Sequence, residues 1–484
     1  MMRAATLERL KTKCVLIAVF CILSSALGTA QVWNRAARFG GGASDAGIAM
    51  KVSATGDKFL TGNFSESMKI GDRTLTSAGD TDIFLAQFGH WVIVIGGKEH
   101  DEATDVALDG AGNVFVTGWF TDHATFHSTD GTTKSASGIG ETIFLAKYTG
   151  AGALLWVQTG ATNSVSINRG QGVAIDGSTG AAYLTGISQG STVFSSADGN
   201  SEEVPGPGAW HMYLVKYNGD GNFQWGGWNE ADANSIPHKV AVDADGSAYV
   251  TGWFEGGATF HGVDGNVRTV TGLSQPIQTA PDYPDDSFVV KYDRDGNVQW
   301  LNDIGGYKAI MNDIAVSDSG QVSVTGLIGN INGNSQQQET LISSQLPGTT
   351  ISVGGGTFTS PYNRDILVAT YDQSGVALSA VRIGGTGNEE AGSIVSWGTD
   401  WYVSGIVEST GNLFIGKTTG GLLDWVKIDG GPVSGGIETL PDLALTPDGK
   451  LLAIGTFVNE TAFGKYQVTS QGAEDGFLVS LRLQ

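Results

Sequence analysis

The chain has 484 residues and a formal net charge of −22; 72 residues are glycine and only 16% are charged. So acidic a balance excludes nucleic acid as a natural partner, because that recognition sets Lys and Arg against phosphate. Abundant glycine with few charges points instead to many short strands joined by tight turns.

In residues 1–30, Arg3, Arg9, Lys11 and Lys13 precede the apolar run CVLIAVFCIL (14–23), and small residues follow up to Ala30. This is the order of a secretory signal peptide, and the run is too short to span a bilayer. The expectation is a bacterial protein exported to the periplasm, cell surface or medium. Its mature chain would start at Gln31 and carry no transmembrane anchor. Phe20 stands where a lipoprotein would want a small residue before Cys21. Losing the leader removes four basic residues and one acid, which takes the charge to about −25. It also removes both cysteines, so no disulfide and no thiolate ligand is expected.

VWNRAARFGG (32–41) reads as a lone strand carrying a Trp, and then a four-part unit begins to recur. Its hallmark is an apolar strand ending at glycine, here called strand B: KFLTGNF (58–64), NVFVTGWF (113–120), AAYLTGI (181–187), SAYVTGWF (247–254), QVSVTGLI (321–328), WYVSGIV (401–407) and LLAIGTF (451–457). Before it comes a short strand A, such as DVALD (105–109) or KVAVD (239–243). After it comes strand C, such as TIFLAKY (142–148) or SFVVKY (287–292), and then a Trp-bearing strand D, such as GNVQW (296–300). Seven units of four antiparallel strands predict an all-β fold, a seven-bladed β-propeller with one unit per blade. The last unit stops after strand C, while 32–41 is a strand D with nothing before it. The N-terminal strand is therefore expected to complete the last blade and close the ring, leaving no free edge. Residues 31–484 then form one domain.

VALDGAGNVFVTGWF (106–120) and VAVDADGSAYVTGWF (240–254) resemble the bacterial β-propeller repeat known as SBBP. The likeness runs over 31–484 and is weakest at Ser404-Gly405 and Ile454-Gly455. The resemblance implies a secreted or surface-exposed propeller and says little about chemistry.

The A–B and C–D turns are tight and repetitive, whereas long insertions fall between strands B and C, at 188–211, 262–286 and 329–365. These share a face with the D–A connections, and a long-loop face is where binding is usually grafted. Trp210, Tyr283 and Tyr362 lie in the insertions. Asp45, Asp101, Glu102, Glu230, Asp313, Glu389, Glu390 and Glu438 lie in or beside the connections. The ligand-binding candidates are Trp210, Tyr283, Tyr362, Asp101, Glu102, Asp313, Glu389 and Glu390. The plainer alternatives are that the acids cap turns and that the aromatics pin their own loops.

No cofactor or metal is expected. The turns DADG (243–246), NGDG (218–221) and DRDG (293–296) suggest calcium, but the twelfth position from Asp293 is Ile304, not the Glu an EF-hand needs. Repeated Trp and Thr-Gly also suggest a quinoprotein, yet packing between blades accounts for the Trp. His127 and His261 share one repeat position, and His100, His123, His211 and His238 show no triad or zinc spacing. The expected function is a non-catalytic, monomeric binding or scaffold propeller for an extracellular glycan, peptide or protein surface. A glycosidase or lyase is the runner-up. Neither Asp101-Glu102 nor Glu389-Glu390 alone makes an acid/base couple, because neighbours on a strand point to opposite faces.

Overall fold

The computed structural model describes residues 31–483, apart from 165, 273–284, 306–307, 330–339, 346–349, 354–363, 385–386, 409, 430–436 and 438. Every regular element among the described residues is a β-strand. In the fourth repeat, strands Ser235–Val242, Ala248–Glu255, Asp285–Tyr292 and Val298–Gly305 pair in order, antiparallel. The other repeats follow the same path.

The Thr-Gly hallmark has two structural causes. The threonine hydroxyl donates to a strand C carbonyl: Thr61 to Phe84 O at 2.8 Å, Thr117 to Phe144 O at 2.7 Å and Thr251 to Phe288 O at 2.9 Å. The glycine faces a β-bulge in strand A, and a side-chain carbon on Gly252 would stand 2.1 Å from Ile236 O. Equivalent bulges occur at Ile48, Thr104, Gln171, His238, Asn312 and Gly392, where the A–B register slips by one residue.

The core lies between sheets. One cluster joins Phe59, Leu85 and Trp91 of the first repeat to Val106, Val116 and Phe144 of the second. The strand D tryptophans add polar stitches across the same boundaries. Trp91 Nε1 donates to Gly150 O at 3.0 Å, Trp156 Nε1 to Gly219 O at 3.2 Å, Trp225 Nε1 to Arg294 O at 3.0 Å and Trp300 Nε1 to Gln373 O at 3.0 Å. Each acceptor sits in the C–D turn of the following repeat.

Strands A pack side by side in chain order: Asp45–Val52, Glu102–Leu108, Arg169–Ile175, Ser235–Val242, Lys308–Val316, Glu389–Trp397 and Asp442–Leu445. The last also packs against the first. Val32–Gly41 pairs antiparallel with Asp475–Arg482, from Val32 opposite Arg482 to Phe39 opposite Gly476.

The B–C insertions differ from the expected free loops. Thr192–Ser195 and Ser201–Val204 form a ribbon whose first strand pairs with strand D of the preceding repeat, Leu154–Ala161. Ala258–His261 and Val267–Val270 dock likewise on Phe223–Ala231, and Thr340–Ser343 and Thr350–Val353 on Val298–Gly305. In the first two repeats strands B and C run long and do the same, Lys58–Ile70 reaching Val32–Gly41 and Val114–His127 reaching Trp91–Gly96. A sheet's outermost strand is an open edge, and these ribbons cover it. They merge several repeats into one 14-stranded sheet.

Candidate functional site

Three of the bulges shape one cleft. Ile48, Thr104 and Gln171 all line a cavity of about 460 Å³ at the heads of the inner strands. A bulge re-aims a side chain by breaking the two-residue alternation of a strand. The D–A connections add Ser44, His100 and Thr439, strands A add Ala46, Glu102 and Ala103, and the B–C side adds Asn63, Ser65, Thr81 and Glu474.

His100 Nε2 lies 2.8 Å from Glu102 Oε1, and its ring lies against Trp119 with centroids 5.1 Å apart. Arg169 sits over the same indole at 4.6 Å and is held by Glu141 through bonds of 2.6 and 2.7 Å. Ser44 Oγ donates to Glu474 Oε2 at 2.5 Å. The imidazole is therefore fixed by a stack behind it and a carboxylate beside it.

Asp101, next to Glu102, turns the other way. It is fully buried and accepts N–H bonds from Gly97 at 2.6 Å and Thr121 at 3.0 Å. Burial pushes its carboxyl up to about 7, against the pull of those bonds. Asp45 accepts from Gly41 N at 2.6 Å and is likewise pushed up to about 7 by burial. Both cap turns, as the plainer sequence reading has it.

Asp313 belongs to a different group. It accepts Ile394 N at 2.8 Å and Ser393 Oγ at 2.8 Å from the neighbouring inner strand. Asp105 does this to Val173 N at 2.9 Å, and Asp442 to Met50 N at 2.7 Å. Burial lifts Asp313 to about 6. Lys239 pairs with Asp105 at 2.9 Å and reaches Thr104 O at 3.3 Å, so its ammonium lies directly behind the cleft. Burial alone would lower the Lys51 ammonium, but Asp442, Asp105 and Asp313 together raise it.

Glu390 takes Asn312 Nδ2 at 3.3 Å and Arg364 Nη1 at 3.5 Å, and burial raises its carboxyl. Glu389 bonds Asp365. Trp210 opens strand Trp210–Tyr217, half-buried and opposite Gln189. None of these three lines the cleft. Exposed Glu230 instead faces His261 at 3.5 Å. Tyr283, Tyr362 and Glu438 lie outside the described residues. The structure thus places Glu102 in the cleft, Asp101 buried beside it and Asp313 among the inner-strand charges, and scatters the rest.

His100 and Glu474 are the cleft residues that sequence reasoning did not put forward as candidates. The first had a signal, since it stands two positions before Glu102, itself a candidate. The second had none, because Ser44 and Glu474 are 430 positions apart. The DRDG turn is an ordinary Asx turn: Asp293 Oδ1 accepts Asp295 N at 3.0 Å and Asn297 N at 2.9 Å.

No known family profile matches the chain. An uncharacterised WD repeat-containing protein of Acanthamoeba polyphaga mimivirus is 26% identical over 199 residues, which is 40% of this chain but 13% of that protein. Virginiamycin B lyase from Staphylococcus aureus shares 10% identity at a TM-score of 0.38, covering 90% of this chain and 95% of the lyase. A Dos1 propeller shares 9% at a TM-score of 0.41, covering 93% and 94% respectively. Likeness this distant transfers no residue and no activity.

Proposed function

We propose that the chain is a seven-bladed β-propeller, closed by Val32–Gly41 completing the last blade, and that it acts outside the cytoplasm as a non-catalytic binding protein. The ring reading rests on the cyclic packing of the inner strands and on the ladder between the two ends of the chain. The leader-like residues 1–30 support export.

The observation that carries the binding reading is the make-up of the cleft. It offers hydroxyls, two amides, the imidazole of His100 and the carboxylates of Glu102 and Glu474, with no Lys, Arg, Phe, Tyr or Trp among its lining residues. Without an aromatic face on which a sugar ring can stack, the cleft favours a peptide or surface polymer bearing basic groups. The strongly negative chain would steer such a ligand inward.

Calorimetry on the mature protein with Lys- or Arg-bearing peptides and with neutral oligosaccharides tests this. Expected is salt-sensitive binding of the basic peptide, with the ligand recovered intact. Tighter binding of the sugar would reverse the ligand class. Cleaved peptide or new reducing ends would make the His100–Glu102 pair catalytic instead.

A further inference from the structure

Asp82 heads strand C of the first repeat, and Asp101 precedes strand A of the second. The repeat sets equivalent pairs elsewhere: Asp475 with Asp45, and Asp365 with Glu389. In all three pairs the first carboxylate lies over a glycine. A side-chain carbon on Gly96 would stand 2.1 Å from Asp82 Oδ1, one on Gly40 2.1 Å from Asp475 Oδ1, and one on Gly384 1.8 Å from Asp365 Oδ1.

Two of the pairs have a guanidinium. Arg38 bonds Asp475 and Arg382 bonds Asp365. Both arginines occupy one register position on strand D, Arg38 opposite Phe477 and Arg382 opposite Leu367. In the first repeat the residue at that position, opposite Phe84, is Val94.

Asp82 and Asp101 are left with backbone donors: Ala78 N at 2.5 Å for Asp82, and Gly97 N and Thr121 N for Asp101. Asp82 Oδ1 is buried without a partner, as are Asp475 Oδ1 and Asp365 Oδ1 of the other two pairs, and the point 2.1 Å from Asp82 Oδ1 above Gly96 is also 3.0 Å from Asp101 Oδ2. The titratable groups that face the pair are His127, acting on Asp82, and His100, acting on Asp101. Asp80, on the long strand Arg73–Gln87, is exposed and lies 3.9 Å from His100, and Lys98 and Glu99 are exposed in the following loop. Two carboxylates in so dry a place do not both ionise without a counter-charge.

We propose that Asp82 and Asp101 share one proton in the place arginine fills at the equivalent junctions, and that the pair is a pH-sensitive latch on the cleft. Thr81 beside Asp82, and His100 and Glu102 on either side of Asp101, line that cleft. When the proton leaves to solvent, repulsion between the two anions parts its walls. Burial raises both carboxyls, Asp101 to about 7. A carboxyl raised on folding stabilises the fold at low pH, and that contribution is lost as pH climbs through about 7. The latch rests on the cleft being the binding site; the effect on stability does not.

Urea unfolding from about pH 5.5 to about pH 8.5 tests it on wild type, Val94→Arg and the double variant Asp82→Asn/Asp101→Asn. The Val94→Arg advantage should widen with pH, to about tenfold in the unfolding constant at the alkaline end. The double variant should lose stability less steeply than wild type as pH rises from about 5.5 to about 7, and it decides the matter if Val94→Arg does not fold. A gap that stays constant with pH would mean that Val94 matters for packing alone and overturns the proposal. So does a wild-type decline that millimolar calcium erases, which would put a metal ion in the proton's place. Binding of a Lys-bearing peptide that ignores pH while the unfolding behaves as expected removes the latch and keeps the shared proton.

Discussion

Asp442 Oδ2 accepts the backbone N–H of Met50 at 2.7 Å, joining residues 392 positions apart. Among the described residues it is the third of three such bonds, after Asp105 to Val173 N and Asp313 to Ile394 N, each tying one inner strand to the next. If the ring is closed as proposed, Asp442→Ala orphans a buried N–H inside the closure and should cost about 1–3 kcal/mol in urea unfolding. Deleting residues 31–41 should lower the melting temperature far more. It strips Asp475–Arg482 of its partner and removes buried Trp33 and Phe39. An unchanged melt after that deletion would refute the ring.

The repeat itself was legible because its hallmark is a local constraint. Only glycine tolerates a carbonyl where the Cβ of residue 252 would be, and only a hydroxyl at Thr251 reaches Phe288 O. The bulges were not legible, since Ile48, Thr104, Gln171 and His238 share no residue type and a register slip leaves no mark on apolar alternation. Nor was the docking of the insertions. Pro- and Gly-rich flanks made them look like loops, and ribbon strands as short as Thr192–Ser195 and Ala258–His261 are too brief to show a period.

The tryptophan stitch gives a second expectation. Trp225 Nε1 and Lys216 Nζ both donate to Arg294 O, at 3.0 and 2.8 Å, and the Trp225 ring packs edge-on to Tyr183 at 5.8 Å. Trp225→Phe keeps most of the packing and loses the bond, for about 1 kcal/mol. Trp225→Ala also opens a cavity, for about 3–5 kcal/mol. Equal costs for the two variants would show that the bond contributes nothing.

Acid should unfold the protein through two histidines. Burial holds His211 and His238 down to about 4, from an ordinary 6.5. A histidine depressed on folding stabilises the protein above its unfolded value, and that contribution is lost as pH falls from 6.5 toward 4. Together they should remove a few kcal/mol over that window. His211→Asn and His238→Gln should flatten the acid limb of melting temperature against pH. A limb as steep in the double variant as in wild type would assign acid unfolding to other groups.

The cleft and the Glu390 cluster can be separated by titration with a Lys-bearing peptide. Both hold acids that sequence placed on one face, but only Glu102 lines the cleft; Glu390 is engaged with Arg364 and Asn312. Glu102→Gln with Glu474→Gln removes two charges and keeps the shape, so affinity should fall about tenfold and the salt dependence should shrink. Glu390→Gln should leave affinity within about twofold, because that carboxylate already has its partner. The opposite ranking would move the binding site from the heads of the first three repeats to the junction of the fifth and sixth.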